Sequence, residues 1–102
     1  MVRKIIWSKI AQEDKLFILR FWIIRNQSDL YSKKLNQYFN DSVRLISKFP
    51  LIGKKTEFPD IRIKIVKHYF ITYRIKPDRI EILTIWDSRQ DPDKFIRIVK
   101  DQ

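Results

Sequence analysis

Three stretches in the second half of the chain, 61–66, 69–75 and 80–87, set apolar against polar side chains with a period of two. A period of two sends successive side chains to opposite faces and marks a strand. The runs are rich in Ile, Tyr and Thr, which favour the pleated state. Lys76-Pro77-Asp78-Arg79 reads as a hairpin turn in which Pro77 presets φ. Lys67-His68 reads as a tighter connection. The chain is therefore expected to build one twisted antiparallel sheet, which a layer from the first half of the chain must cover on one face.

The covering layer reads as two helices. Val2 to Trp7 is a short first strand, and Ser8 is a helix N-cap. From Lys9 to about Asn26 the apolar residues are too dense for a single stripe. Ile10, Phe17, Phe21 and Ile24 share one face, and Leu16, Leu19 and Ile23 widen it. That density predicts a helix buried on more than one side, with Trp22 in the core. Ser28 caps a second helix over 29–48, whose Tyr31, Leu35, Tyr38, Phe39, Leu45, Ile46 and Phe49 fall at spacings of three and four. The short Asn26-Gln27-Ser28 turn makes the pair an antiparallel hairpin, and Phe49-Pro50 stops it. A loop over 51–60 holds Gly53, Lys54, Lys55 and Pro59. The last segment, 91–102, begins a helix with Asp91 as cap and Pro92 at its first position, followed by Phe95, Ile96 and Val99. The order is β-α-α-β-β-β-α, an α+β domain with the hairpin on one sheet face and the other partly open.

At 102 residues the whole chain, 1–102, is one domain, long enough to bury a core without staples. It has 22 Lys and Arg against 12 Asp and Glu, a net charge of +10. That exceeds the roughly 2–8 that solubility asks of a small domain, so a polyanion or an acidic polypeptide is the expected partner. The absence of cysteine excludes disulfides, thiolate nucleophiles and Cys-ligated zinc, and it fits a reducing cytoplasm. The single His68 builds no His-rich metal site. The most apolar run, 16–24, contains Arg20 and falls far short of the roughly 20 residues of a membrane span. No targeting segment and no membrane insertion are read, and the cytoplasm is the expected location.

The last strand ends abruptly in a polar cluster, Asp87-Ser88-Arg89-Gln90-Asp91-Pro92, which places charged groups at a rim where a partner can reach them. Arg74 lies on the strand face opposite Ile71 and Ile75, and joins Arg62 and Lys64 in an expected basic patch, with a solvated outer face as the alternative. Asp87 beside Arg89 reads either as a base or as the partner of a salt bridge that fixes the arginine. Tyr69 and Tyr73 follow the apolar alternation and read as core. His68 reads as structural.

A short strand, a helical hairpin, a Phe-Pro-Leu-Ile-Gly loop, Tyr73-Arg74 in the middle strand and the ending Ile85 to Pro92 together resemble the RelE/ParE superfamily of toxins. These are the toxin halves of type II toxin–antitoxin pairs, and the resemblance runs from about Ser8 to Phe95. It implies a cognate acidic antitoxin as partner, no cofactor, and one of two targets. RelE-like members cut mRNA in the ribosomal A site without a metal; ParE-like members inhibit DNA gyrase and cut nothing. Carried onto this chain, the nuclease pattern assigns catalytic positions to Arg62, Lys64 and Arg89. Its remaining arginine falls on Phe70 and its tyrosine on Phe95, neither of which moves a proton. Arg74, Asp87 and Gln90 are the expected contacts to nucleic acid or target. The alternative of another class is a basic RNA- or DNA-binding module with no toxic activity.

Overall fold

Ser8 ends the first strand and starts the first helix, its Oγ accepting from the Ala11 N–H at 3.0 Å and donating to the Leu83 carbonyl at 2.8 Å. In the computed structural model, which describes residues 2–101, strand β1 is Lys4–Trp7 and helix α1 is Lys9–Asn26. Helix α2 (Leu30–Lys48) leads into a 3-10 turn, Pro50–Ile52, and a two-residue strand β2, Lys54–Lys55. Strands β3 (Ile61–Val66), β4 (Tyr69–Ile75) and β5 (Arg79–Asp87) follow, then helix α3, Pro92–Lys100. The order read from the sequence holds, with β2 added. Gln102, the expected end of the last segment, and Met1, the first residue of the domain, lie outside the described residues.

Some boundaries differ in detail: β1 begins at Lys4 rather than Val2, whereas α1 ends at Asn26 as expected. Ser28 does accept from the Leu30 N–H at 3.2 Å, but α2 starts one residue later than expected. Helix α1 ends on Gln27 in the left-handed region (φ 50), a conformation that the side chain tolerates poorly but that lets its N–H reach the Ile23 carbonyl.

The sheet order is β1-β5-β4-β3-β2. From β2 to β5 neighbours are antiparallel, but β1 runs parallel to β5, so the sheet is mixed rather than wholly antiparallel. Alternation in a sequence reports which face a residue takes and says nothing about strand direction, which is why the expectation missed this edge. The Lys67-His68 turn is as tight as expected, with Lys67 at φ 57.

The hairpin face of the sheet carries the larger core. Ile71, Tyr73, Ile80, Ile82 and Ile85 meet Ala11 and Ile18 of α1 and Leu35, Phe39 and Ile46 of α2. Helix α3 covers part of the other face, where Val99 and Phe95 pack on Ile61 and Leu83. Helix α1 corrects an expectation: only Ala11 and Ile18 are buried on it. Phe17 is 70% exposed and Ile24 77%, and Leu16, Phe21 and Ile23 are also exposed. The sheet receives the Ala11-Ile18-Trp22 side of α1 and leaves the aromatic side bare.

Candidate functional site

Strand β1 ends at Trp7, whereas β5 runs on to Asp87, so among the described residues the outer edge of β5 beyond Ile82 lacks a strand partner. Helix α1 closes that edge with Asp14, whose Oδ2 accepts from the Thr84 hydroxyl at 2.6 Å and from the Ile85 N–H at 3.0 Å. An unpaired backbone donor is costly to bury, and a carboxylate is a strong acceptor for it. Burial nevertheless pushes the Asp14 carboxyl above its ordinary range, against these two bonds and with Glu13 adding repulsion. The folded chain therefore holds this proton to higher pH than the unfolded chain. Asp14 costs stability progressively as pH rises from 3.8 through its raised value, and the cost is constant above. Asp14→Asn keeps an oxygen acceptor and removes the charge. We expect it to unfold at higher temperature than wild type at pH 7, with the difference vanishing below pH 3.8; an equal or lower melting temperature at pH 7 refutes this reading of Asp14.

Past Asp14, the end of β5 opens a cleft of about 350 Å³ lined by Asp14, Phe17, Phe21, Tyr69, Asp87 and Arg89, with Gln90 at its rim. Asp87 lies opposite Tyr69 in the β4–β5 register. Arg89 grips Asp87 through both ends of its guanidinium, Nε to Oδ1 at 3.0 Å and Nη2 to Oδ2 at 2.9 Å, and its backbone N–H also reaches Oδ1. These bonds hold the Asp87 carboxyl below its usual range, which makes it a poor base. Arg89 stays largely open to solvent, fixed in direction and able to meet a second carboxylate or phosphate. The Tyr69 hydroxyl accepts from Trp22 Nε1 at 2.9 Å, and burial raises its pKa, so it remains a neutral phenol.

The residues expected to act together are spread out. Arg62 and Lys64 stand opposite Tyr73 and Ile71, on the hairpin face, whereas Arg74 stands opposite Ile61 on the other. Residues opposite each other across a ladder share a face, so the expected patch of Arg62, Lys64 and Arg74 does not form. Arg74 instead pairs with Asp60 at 3.2 Å and with Glu81 at 3.7 Å. Arg62 is bound to the carbonyls of Leu51 and Gly53 at 3.1 and 2.9 Å. Counting strands and residues from the register, Lys64 lies about 12 Å and Arg62 about 17 Å from Asp87. Asp87, Arg89 and Gln90 are the expected residues that the fold does bring together.

Asp14 was missed as a site residue, and Phe17 and Phe21 were read as one face of a buried helix. The signal for Asp14 was a pair of carboxylates, Glu13 and Asp14, inside the densest apolar helix. For the two phenylalanines it was a helix with more aromatic surface than one core face accepts.

The family model described as the ParE toxin of type II toxin-antitoxin system, parDE, matches residues 5–92. No curated protein matches the chain. A solved structure it resembles is the chromosomal ParDE TA system from P. aeruginosa, with a TM-score of 0.71, 19% identity, and coverage of 82% of this chain and 94% of that one. At that identity the likeness speaks for the fold alone. Among the described residues no helix is long and apolar enough to cross a membrane. With the family model spanning nearly the whole chain, and the strand, helical hairpin, sheet and rim in its order, this chain belongs to the ParE toxin family.

Proposed function

We propose that this toxin is held inactive by an acidic antitoxin and acts by binding DNA gyrase rather than by cutting RNA. The observation that carries the non-catalytic reading is the contact between Phe70 and Phe95. Their rings meet edge to face at 5.9 Å, and Trp86 packs on Phe95 at 5.8 Å. The two positions where the nuclease pattern needs an arginine and a tyrosine are thus the halves of one apolar contact holding α3 on the sheet. Arg62, another position of that pattern, is committed to loop carbonyls.

The antitoxin reading is supported by a strip of apolar surface continuous with the cleft. Phe17 and Phe21 wall the cleft on one side, and on the other they form a shallow groove with Arg20, Ile24 and Arg25. An amphipathic acidic helix suits that strip, apolar side chains over the phenylalanines and carboxylates toward Arg89, Arg20 and Arg25.

Induction of the gene alone, with plasmid supercoiling and transcript ends followed together, tests the mechanism. The expected result is growth arrest with altered supercoiling and intact mRNA, in wild type and Arg89→Ala alike. New mRNA ends that disappear in Arg89→Ala would overturn it in favour of the nuclease.

A further inference from the structure

Phe49, Leu51 and Ile52 form a second exposed apolar surface, 60%, 68% and 43% accessible. Bare loops of this kind ordinarily gain by folding inward, since taking such side chains out of water is favourable. Here the backbone is fastened in the outward position. The Tyr73 hydroxyl, on a fully buried ring, donates to the Pro50 carbonyl at 2.6 Å and accepts the Gly53 N–H at 3.0 Å. The Arg62 guanidinium holds the carbonyls of Leu51 and Gly53 from beside the loop. Ile52 N–H closes the turn on the Phe49 carbonyl at 3.0 Å. A loop fixed at nearly every polar backbone atom while its large side chains point to water is preorganised to bind, with little ordering left to do on contact.

The charge around the loop limits the partner. Between Asp41 and Glu57 the chain has no acidic residue, and Lys48, Lys54 and Lys55 flank the apolar turn. The partner is therefore anionic at its rim and apolar at its centre. A nucleic acid would use aromatic faces for stacking, and only Phe49 offers one. Leu51 and Ile52 fit an aliphatic cleft in a protein.

The loop is also separate from the antitoxin strip. It hangs on Tyr73, four residues along β4 from Tyr69 of the cleft, which is roughly 13 Å away. No residue of the loop lines the cleft or the α1 groove.

We infer that the Phe49–Ile52 loop is the surface with which this toxin grips its target protein, inserting Leu51 and its neighbours into an apolar cleft rimmed by carboxylates. This rests on the toxin reading above and adds to it the place of contact. Leu51→Glu puts a charge at the most exposed position while leaving the Tyr73 and Arg62 side chains that hold the loop in place, and Phe49→Ala trims the adjacent ring.

The test uses full-length toxin, purified DNA gyrase, the cognate antitoxin and a plain DNA duplex. The expected result is that both variants melt like wild type and still capture antitoxin. Leu51→Glu should lose at least ten-fold in gyrase inhibition and Phe49→Ala somewhat less. Inhibition by Leu51→Glu equal to wild type overturns the inference and leaves the toxin reading standing. Loss of antitoxin capture in the variants also overturns it, because the loop would then belong to the antitoxin's seat. Retardation of the duplex by wild type and not by Leu51→Glu would mean the loop meets nucleic acid, and overturns it too. Wild type that neither slows growth nor inhibits gyrase refutes the toxin reading itself, and the inference falls with it.

Discussion

Gly53→Ala lowers the melting temperature by roughly 10–20 °C, equivalent to about 2–4 kcal/mol on a domain of this size. The cause is space. Gly53 is the chain's single glycine, and its backbone is ordinary extended chain, φ −72 and ψ 162. A Cβ there would lie 2.6 Å from the Tyr73 hydroxyl and 3.0 Å from both Tyr73 Cε1 and the Ile63 carbonyl oxygen. A tyrosine tip in the open would swing aside. This one is buried on every side and bonded to Pro50 and Gly53, so moving it breaks both bonds and leaves polar atoms unsatisfied. Tyr73→Phe alone should cost about 1–3 kcal/mol, for the donor and acceptor it strands. The decisive measurement is the double variant. With the hydroxyl gone, Gly53→Ala should cost about 1–2 kcal/mol less than in wild type, since the closest clash has been removed. Strictly additive costs would show that the hydroxyl is not what excludes a side chain at Gly53.

That result bears on what could be read without coordinates. Period two placed β3, β4 and β5 correctly, and Tyr73 and Tyr69 read as core because they follow the alternation. The same alternation identified Arg62 and Lys64 as sharing a face, but not which face. A strand near the edge of a sheet can carry charges on the side that the helices cover elsewhere, and only the register Arg62–Tyr73 settles it. The loop over 50–53 was visible as a helix stop and a glycine, yet its purpose depends on Tyr73, twenty residues onward, reaching two of its backbone atoms. Long-range hydrogen bonds of this kind leave no local pattern. Nor do the left-handed positions, which fall on Gln27 and Lys67 rather than on the glycine. The rim at Asp87 and Arg89 was legible because charge follows an apolar strand abruptly. The exposure of α1 was not, because a helix that is apolar nearly all round looks the same whether a sheet or a partner protein covers its far side.

The double variant Phe17→Asp, Phe21→Asp separates those two kinds of coverage. If the bare side of α1 is where the antitoxin lies, both substitutions sit in the centre of that contact. Two buried aromatic anchors together supply about 3–4 kcal/mol, so affinity for the antitoxin should fall by roughly a hundred- to a thousand-fold. Charge sharpens the effect. The strip lies between Arg20, Arg25 and Arg89 on a chain of net +10, and two carboxylates there repel an acidic partner that the arginines would attract. The folded toxin should barely notice, because Phe17 and Phe21 are exposed and the core contacts of α1 come from Ala11, Ile18, Leu19 and Trp22. Titration of the cognate antitoxin into each purified toxin, with thermal melting alongside, reads both quantities. Weakened binding with an unchanged melting temperature assigns the strip to the antitoxin. Binding as tight as wild type would remove the antitoxin from α1. A melting temperature lowered by ten degrees or more would show that the two rings belong to the fold, and that the density of apolar residues in α1 serves the core after all.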